Sequence, residues 1–239
     1  MKNITMNTMD EVSAATVEQA LMPYISSDKV TEWVGKNMKP YRELLSYYRC
    51  AIMEVETKFR VLNEDFSVGD DNNPIEAIKT RLKSPKSIVE KMFRLNFPLT
   101  VESIEVNMHD IAGVRVICST VSDIYMLANA LLSQDDIFLI EKKDYFAHPK
   151  SNGYRSLHLI VSTPIFLHNE KRMMKVEVQL RTLAMDAWAS LEHKIRYKKQ
   201  VCGNQDDIDI ELLKCADLCA EFDSRIHGII LSGCSHITE

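Results

Sequence analysis

The sequence lacks a long apolar run. Its 239 residues contain no stretch of about 18 consecutive apolar residues, the length that a membrane-spanning helix needs. The first residues, MKNITMNTMDEVSA, carry no apolar segment typical of a secretory signal. The six cysteines form no Cys-x-x-Cys pair, so we expect reduced thiols rather than a paired-cysteine zinc motif. These absences predict a cytoplasmic protein with no membrane segment.

The sequence also lacks an excess of positive charge and the common phosphate-binding loops. The formal net charge is −5, which argues against extensive nucleic-acid binding but allows a local basic pocket. There is no GxxxxGKS/T or GxGxxG loop, no protein-kinase catalytic-loop pattern and no GxSxG motif. If the protein binds phosphates, it must therefore bind them through side-chain cations and Mg²⁺ rather than through one of these loops.

Apolar periodicity indicates a central domain with helices at both ends. We interpret residues 1–38 as an N-terminal helical extension with a break near Pro23, residues 39–200 as the main domain and residues 201–239 as a C-terminal helical extension. Strand character is found at residues 113–118, 137–143, 154–163 and 173–181, and closing helices are predicted near 182–200 and 207–230. This mixture predicts an α+β fold, with helices packed on a central mixed sheet.

A long apolar seam begins soon after the first extension. Its members recur at spacings of three and four: Tyr41, Leu45, Tyr48, Ile52, Val55, Phe59 and Leu62. Two interpretations stay open. The seam packs on the protein's own core, or it also meets a partner subunit.

Two predicted strands carry polar side chains on one face, because side chains alternate along a strand. In KVEVQLR, the polar face holds Lys175, Glu177, Gln179 and Arg181; in YRSLHLIV, it holds Tyr154, Ser156 and His158. A polar strand face is usually just solvated. The adjoining loop, HPKSNGY, adds the cation Lys150, the amide Asn152 and the flexible Gly153. A base can stack on Tyr154 while Lys150 meets its phosphates, so the stretch predicts a nucleotide site.

Two further clusters fit phosphate chemistry. In HDIAGVR, Asp110 precedes a strand that contains Arg115; Asp110 alone is as well explained as a turn cap, but together with Glu177 it offers hard oxygen ligands for Mg²⁺. In KTRLKSPKSIVEK, the cations Arg81, Lys83, Lys86 and Lys91 bracket a helix start with Ser84 as N-cap. Such a run is usually a solvated helix face, although a helix start also favours a polyphosphate.

Together and in this order, these segments resemble the synthetase domain of the RelA/SpoT family of (p)ppGpp synthetases. The signatures are RLKSPKSI, HDIAGVRVI, KDYFAHPKSNGYRSLH and VEVQLRT, and MDAWASLEHKIRYK resembles the small, single-domain members. The resemblance covers roughly residues 40–200. It implies a nucleotidyltransferase-like fold and a GTP diphosphokinase, which transfers the β,γ-pyrophosphate of ATP to the 3′-OH of GDP or GTP and releases AMP.

The resemblance also implies residue roles. ATP would be contacted by Arg81, Lys83, Lys86 and Arg115, with the Arg81 guanidinium stacked on adenine. The acceptor would be contacted by Lys143, Lys150, Asn152, Tyr154, His158 and Gln179, with Tyr154 stacked on guanine. Asp110 would ligate Mg²⁺, and Glu177 would act as general base, metal ligand or both. Asp186 stands where many small synthetases carry an asparagine, which leaves the preference among GMP, GDP and GTP open.

Two alternative functions and an assembly state accompany this prediction. A related toxin-type enzyme would pyrophosphorylate the 3′ end of tRNA, but the net charge of −5 disfavours so anionic an acceptor. A catalytically idle nucleotide- or RNA-binding regulator would not need both Asp110 and Glu177. The resemblance further implies a homotetramer, with the 41–62 seam and the terminal helices as candidate interfaces.

Overall fold

The computed structural model describes residues 12–68, 73–197 and 205–234. The helices are α1 (Ala14–Leu21), α2 (Ser27–Ser67), α3 (Pro85–Arg94), α4 (Val101–Asn107), α5 (Val121–Leu132), α6 (Leu183–Tyr197) and α7 (Gln205–Cys234). The strands are β1 (Ile75–Leu82), β2 (Ala112–Cys118), β3 (Phe138–Asp144), β4 (Leu157–Phe166) and β5 (Lys171–Thr182). Within these ranges, no helix has the length and apolar character needed to cross a bilayer.

The five strands form one mixed sheet in the order β1-β2-β5-β4-β3. β2 and β5 run parallel, whereas the other neighbouring pairs are antiparallel. Helices flank this sheet, so the predicted α+β class with a central mixed sheet is confirmed. The central position of β5 places Glu177 and Gln179 in the middle of the sheet.

The apolar seam of α2 packs on the protein's own core. This helix is 41 residues long, and its seam residues Tyr41, Leu45, Tyr48, Ile52, Val55 and Phe59 are buried in the main hydrophobic core. An amphipathic helix buries its apolar stripe against the nearest apolar surface, which here is one face of the sheet. The packing on the protein's own core is therefore confirmed for these six side chains, and a contact of this helix with a partner subunit stays a prediction.

The predicted boundary between residues 38 and 39 falls inside α2, which is continuous from Ser27 to Ser67. The chain does break near Pro23, between the end of α1 at Leu21 and the start of α2. Pro40 removes one helical N–H, but Val30 and Tyr41 on either side of the boundary are buried in the same core and hold the helix together. The predicted extension therefore continues into the main domain as one helix.

Strand β1 is absent from the sequence-based prediction, which treated residues 75–82 as part of a basic segment. It is an edge strand paired antiparallel with β2. Only Ile75 in this strand is fully buried. The strand lacks a clear apolar alternation because its polar positions, including Lys79 and Arg81, belong to the site described below. Charged side chains are common on such edges.

Strand β4 begins at Leu157 rather than at the predicted residue 154. The preceding chain turns at Gly153, whose φ is +83°, so the two-residue alternation does not extend back to Tyr154 and Ser156. Both of these side chains are buried instead of forming an open polar strand face with His158. The predicted open polar face is therefore wrong for Ser156, whereas the Tyr154 hydroxyl does meet His158, 3.0 Å from Nε2 of its ring.

Helices α6 and α7 match the closing helices predicted near residues 182–200 and 207–230, and the loop containing Gly203 lies outside the described residues. The two helices pack on each other. They share a second hydrophobic cluster, separate from the main core, with the buried members Tyr154, Met185, Trp188, Leu212 and Ala216. This cluster brings the C-terminal helices against the start of β4.

Candidate active site

Two rows of side chains cross the sheet on the face opposite to the main core. Strand register aligns the first row from β1 to β3 as Lys79, Arg115, Gln179, His158 and Lys143. It aligns the second row as Arg81, Gly113, Glu177, Ile160 and Glu141. The alternate residues Val114, Val178 and Leu159 are buried in the main core, so the alternation of five strands collects charged groups on one face.

Two cavities open on this polar face. The first cavity, of about 120 Å³, is lined by Lys79, Thr80, Arg81, Gly113, Val114, Arg115, Glu177 and Gln179. The second cavity, of about 210 Å³, is lined by Glu141, Lys143, Tyr145, Lys150, His158, Ile160 and Glu177. Glu177 lines both, so one carboxylate stands between a cavity with three cations and a cavity with two.

The cavities divide the residues predicted from the sequence into two groups. Arg81 and Arg115, predicted to contact ATP, line the first cavity. Lys143, Lys150 and His158, predicted to contact the acceptor, line the second. Gln179 was predicted on the acceptor side, but its side chain lines the first cavity.

Glu177 is held by three neighbours. The Gln179 amide donates a hydrogen bond of 3.0 Å to Oε2, and the Arg81 guanidinium lies 3.6 Å from the same oxygen. Nδ1 of His158 lies 3.6 Å from Oε1. The side chain is 13% exposed, so a ligand in either cavity can reach a carboxylate whose orientation is already restricted.

His158 joins Glu177 to Tyr154. Its Nε2 lies 3.0 Å from the Tyr154 hydroxyl. Burial, followed by the nearby charges of Arg181 and Lys150, lowers the pKa of His158 to about 3. The ring is therefore neutral at pH 7, where it can accept a hydrogen bond from Tyr154 at Nε2 while its Nδ1–H points towards Glu177.

Tyr154 is not an open stacking platform in this structure. Its side chain is only 7% exposed, and Lys150 Nζ and Arg181 Cζ each lie 5.0 Å from its ring centroid. A base could stack on this ring only after Lys150 or Arg181 moved aside. Tyr145, which the sequence analysis missed, is the tyrosine that lines the second cavity; Lys150 Nζ lies 4.6 Å from its ring centroid.

Asp110 is held between two lysines. Its Oδ2 lies 2.9 Å from Lys83 Nζ, and its Oδ1 lies 2.9 Å from Lys91 Nζ. Burial by itself would raise the pKa of Asp110, but the two lysines outweigh it and lower the pKa. Asp110 lines neither cavity. It lies just before β2, at the same end of the sheet as Gly113, the register partner of Glu177.

Asp186 is the anion at the centre of a cationic cluster. Lys79 Nζ lies 2.8 Å from Oδ2, and guanidinium nitrogens of Arg115 and Arg181 each lie 3.3 Å from Oδ1. Burial would raise the pKa of Asp186, but these cations outweigh it and lower the pKa. The two arginines also donate to the Gln179 side-chain oxygen, at 3.4 Å from Arg115 and 3.0 Å from Arg181. Asp186 thus restricts, through ion pairs, the positions of Lys79 and Arg115, which line the first cavity.

Two predicted contact residues serve other roles here. Lys86 is 73% exposed and lies 3.9 Å from Glu90 on the same helix. Asn152 accepts a hydrogen bond from the Tyr154 N–H at 3.2 Å and donates to Glu192 at 3.4 Å, which supports the loop without lining either cavity. Lys79 was missed, although recognition of β1 would have placed it on the same face as Arg81.

The carboxylates fit a magnesium ion that arrives with a nucleotide. Within the described ranges, no group of three or more His, Cys, Asp or Glu residues is arranged to hold a metal by itself. Mg²⁺ is commonly bound by one or two carboxylates together with substrate phosphates. Asp110 and Glu177 supply that type of donor, and the surrounding lysines and arginines suit the phosphates.

Comparison with known proteins gives consistent matches. Residues 80–201 match a region found in RelA/SpoT proteins. The chain is 42% identical over 195 residues to the GTP pyrophosphokinase YwaC of Bacillus subtilis (strain 168), a match that covers 80% of this chain and 91% of that protein.

Solved structures agree in fold. The small alarmone synthetase 1 of Bacillus subtilis bound to its product pppGpp matches with a TM-score of 0.74 and 33% identity, over 81% of this chain and 98% of that one. The same synthetase bound to AMPCPP matches with a TM-score of 0.68 and 29% identity, over 81% and 97% of the two chains.

Proposed function

Because the chain belongs to the RelA/SpoT family, we propose that it is a GTP pyrophosphokinase that makes the alarmone (p)ppGpp. The enzyme transfers the β,γ-pyrophosphate of ATP to the 3′-OH of GDP or GTP and releases AMP. One observation carries the proposal: Glu177 lines both cationic cavities, so a carboxylate stands where two anionic nucleotides would meet. The tRNA-modifying and catalytically idle alternatives are not favoured, since the relative YwaC is itself a GTP pyrophosphokinase.

The first cavity suits ATP. Lys79, Arg81 and Arg115 line it and supply cations for the triphosphate, with Lys83 close by at the end of β1. Arg81 reaches across the cavity to Glu177 at 3.6 Å, which leaves its planar guanidinium able to stack on a base or to bind a phosphate. Lys86, at the surface, would contact ATP only at the rim.

The second cavity suits the guanosine acceptor. Lys143 and Lys150 line it with His158 and the Tyr145 ring. Phosphates of GDP or GTP would draw the Lys150 ammonium away from the aromatic rings, because a full anionic charge attracts it more strongly than a ring quadrupole. That movement would expose Tyr154 to the guanine base. Asn152 would maintain the loop conformation through its hydrogen bond with the Tyr154 N–H.

Glu177 acts as the general base. The acceptor 3′-oxygen attacks the β-phosphorus, the bond from that phosphorus to the α,β-bridging oxygen breaks, and AMP leaves with the bridging oxygen. The hydroxyl proton passes to the Glu177 carboxylate, which the Gln179 amide orients from 3.0 Å. Arg81 and Arg115 stabilise the charge on the transferred group, as in phosphoryl transfer generally.

Mg²⁺ would be held by Asp110 and Glu177 together with ATP phosphate oxygens. When bound, the ion neutralises phosphate charge and polarises the group under attack. Lys83 and Lys91, which now pair with Asp110 at 2.9 Å, would then be available to the phosphates. Glu177 can serve as ligand and base in turn, because its two oxygens face different neighbours.

We also propose a cytoplasmic homotetramer. The seam of α2 is buried, so the candidate interface lies on the C-terminal helices, where Leu218, Phe222 and Ile229 of α7 are exposed. Exposed apolar residues along one helix favour subunit contact. The cysteines Cys50, Cys118, Cys215 and Cys219 are free thiols, as is usual in a reducing compartment. Light scattering that gave the mass of one chain would contradict the assembly.

The function is tested by following the label from γ-³²P-ATP. The protein is incubated with Mg²⁺, labelled ATP and one acceptor at a time: GMP, GDP, GTP or uncharged tRNA. We expect label in a guanosine nucleotide, with one AMP released per product molecule. Label in tRNA, or label that stays in ATP and free phosphate with every acceptor, would contradict the proposal.

A further inference from the structure

The loop of residues 148–156, which carries Lys150 and Tyr154, packs directly against α7. Gly153 lies in this loop with φ at +83°, and a Cβ built on it would lie 2.6 Å from the Cβ of Ala216. No side chain fits at that distance, and the positive φ also favours glycine. The loop backbone therefore lies as close to the C-terminal helix as a glycine allows.

Arg155 makes three hydrogen bonds, one within the loop and two to α7. Its Nη1 donates to the carbonyl oxygen of Gly153 at 3.1 Å and to that of Ala216 at 3.3 Å. Its Nη2 donates to Asp217 Oδ1 at 3.1 Å. Arg155 is largely buried whereas Asp217 is mostly exposed, so the guanidinium, rather than the carboxylate, is fixed by packing.

Helix α7 also packs against the aromatic residue of the loop, Tyr154. Tyr154 is buried in a cluster with Trp188, Leu212 and Ala216, and the Trp188 indole N–H donates to the Leu212 carbonyl oxygen at 2.9 Å. Within the loop, the Lys150 N–H donates to the Tyr154 carbonyl oxygen at 3.2 Å. The backbone of Lys150 is thus tied to a residue that α7 holds in place.

We propose that Arg155 is a positioning residue, which fastens the 148–156 loop to α7 and so holds Lys150 at the second cavity for the acceptor, with Tyr154 behind it against His158. This inference rests on the proposed function for the identity of the ligand. A short loop released from its support samples more conformations, and the apparent affinity for a ligand falls in proportion to the competent fraction. The helix thereby controls acceptor binding from outside the cavity, with no contact to the reacting atoms.

The kinetic test compares Arg155→Gln and Asp217→Asn with matched variants on the same helix. Arg225→Gln and Glu211→Gln are the controls, because each removes a charge that pairs along the exposed surface of α7, with Glu221 and Lys214 respectively. We expect the KM for GDP to rise about tenfold in Arg155→Gln and about threefold in Asp217→Asn, with kcat and the KM for ATP unchanged. The controls should match the wild type.

A double variant separates a shared link from general damage. If both groups act through the hydrogen bond that joins them, the double variant of Arg155→Gln and Asp217→Asn should have the same KM for GDP as Arg155→Gln alone. Equal increases in the KM values for GDP and ATP, or a loss of kcat that follows a loss of thermal stability, would overturn the positioning role.

Hydrogen exchange of the unliganded protein tests the link without any reaction. Peptides covering residues 148–156 should exchange faster in Arg155→Gln and Asp217→Asn than in the wild type or Arg225→Gln, because the loop amides open more often. Unchanged exchange in Arg155→Gln would overturn the inference. A wild-type protein that transfers no pyrophosphate but shows the expected exchange would refute the proposed function and leave the fastening of the loop by α7 standing.

Discussion

The guanidinium of Arg81 reaches the carboxylate of Glu177 across an entire strand, with 3.6 Å between Nη2 and Oε2. The two residues lie on β1 and β5, and β2 runs between them. Register places Gly113 of β2 between the two, and no side chain at that position blocks the guanidinium. The proposed base and a cation of the first cavity are therefore neighbours because the strand between them carries a glycine.

Gly113→Ala should impair the first cavity specifically. A Cβ at this position would lie 3.1 Å from Cγ of Arg81, so the arginine must shift, which its flexible side chain permits without unfolding. We expect the KM for ATP to rise roughly three- to tenfold while the KM for GDP stays the same, as measured by initial rates. Gly35→Ala is the control, since its Cβ would meet nothing within 4 Å; an unchanged KM for ATP in Gly113→Ala would count against ATP binding in this cavity.

Glu177→Gln should abolish most turnover without loss of fold. The amide keeps the shape of the side chain but cannot take the proton from the acceptor, so kcat should fall on the order of 10²-fold or more. Single-turnover assays with a thermal melt of each variant would measure this. The matched control, Glu56→Gln, removes a half-buried carboxylate that pairs with Arg60 on α2. Turnover within threefold of the wild type in Glu177→Gln would exclude the carboxylate as base.

Asp110→Asn should raise the magnesium requirement. Loss of one carboxylate ligand weakens metal binding, so we expect the Mg²⁺ concentration for half-maximal rate to rise about tenfold or more. Rates are measured across a Mg²⁺ titration at saturating ATP and GDP. Asp136→Asn breaks a comparable lysine–aspartate pair, with Lys58 at 2.6 Å, away from the cavities. An unshifted titration curve in Asp110→Asn would remove Asp110 from the metal site.

Lys150→Met should weaken acceptor binding while it uncovers an aromatic surface. The ammonium lies over Tyr145 and Tyr154, and its loss removes one phosphate contact, so the KM for GDP should rise about tenfold. Guanosine, which has no phosphate, should bind no more weakly than to the wild type. Lys171→Met is the control, because Lys171 also covers a ring, that of Phe166 at 5.4 Å. Equal losses for GDP and guanosine would show that Lys150 does not bind phosphate.

Asp186→Asn should change the acid dependence of stability. The pKa of Asp186 is lowered in the fold from its ordinary 3.8, so its ion pairs stabilise the protein above that pH and lose their effect as pH falls through the lower folded value. We expect Asp186→Asn to lower the free energy of unfolding by about 1–3 kcal/mol at pH 7, with a smaller difference from wild type below about pH 4. Urea titrations across this range would measure it; a constant difference would contradict the assignment.

Helices and strands could be predicted from the sequence where their position depends on residues close together along the chain. The periodicities of α2, β2 and β5 arise from side chains two, three or four residues apart. The structure has β2 and β5 at the expected places and α2 along the predicted seam, although this helix begins earlier, at Ser27. β1 was missed because a register irregularity between Ile75 and Ala77 interrupts its alternation and only Ile75 is buried. The start of β4 was misplaced because the chain turns at Gly153 and enters the strand only at Leu157.

The sequence by itself determined which chemical groups are present and which family the chain resembles, since motifs and periodicities are local. Only the tertiary structure decided how those groups meet. The parallel pairing of β2 with β5 puts Gly113 opposite Glu177, Asp186 gathers cations from β1, β2 and β5, and α7 closes over the loop that carries Tyr154. Strand order, register and helix docking depend on contacts between distant segments, and their free energy arises only when the whole core is packed.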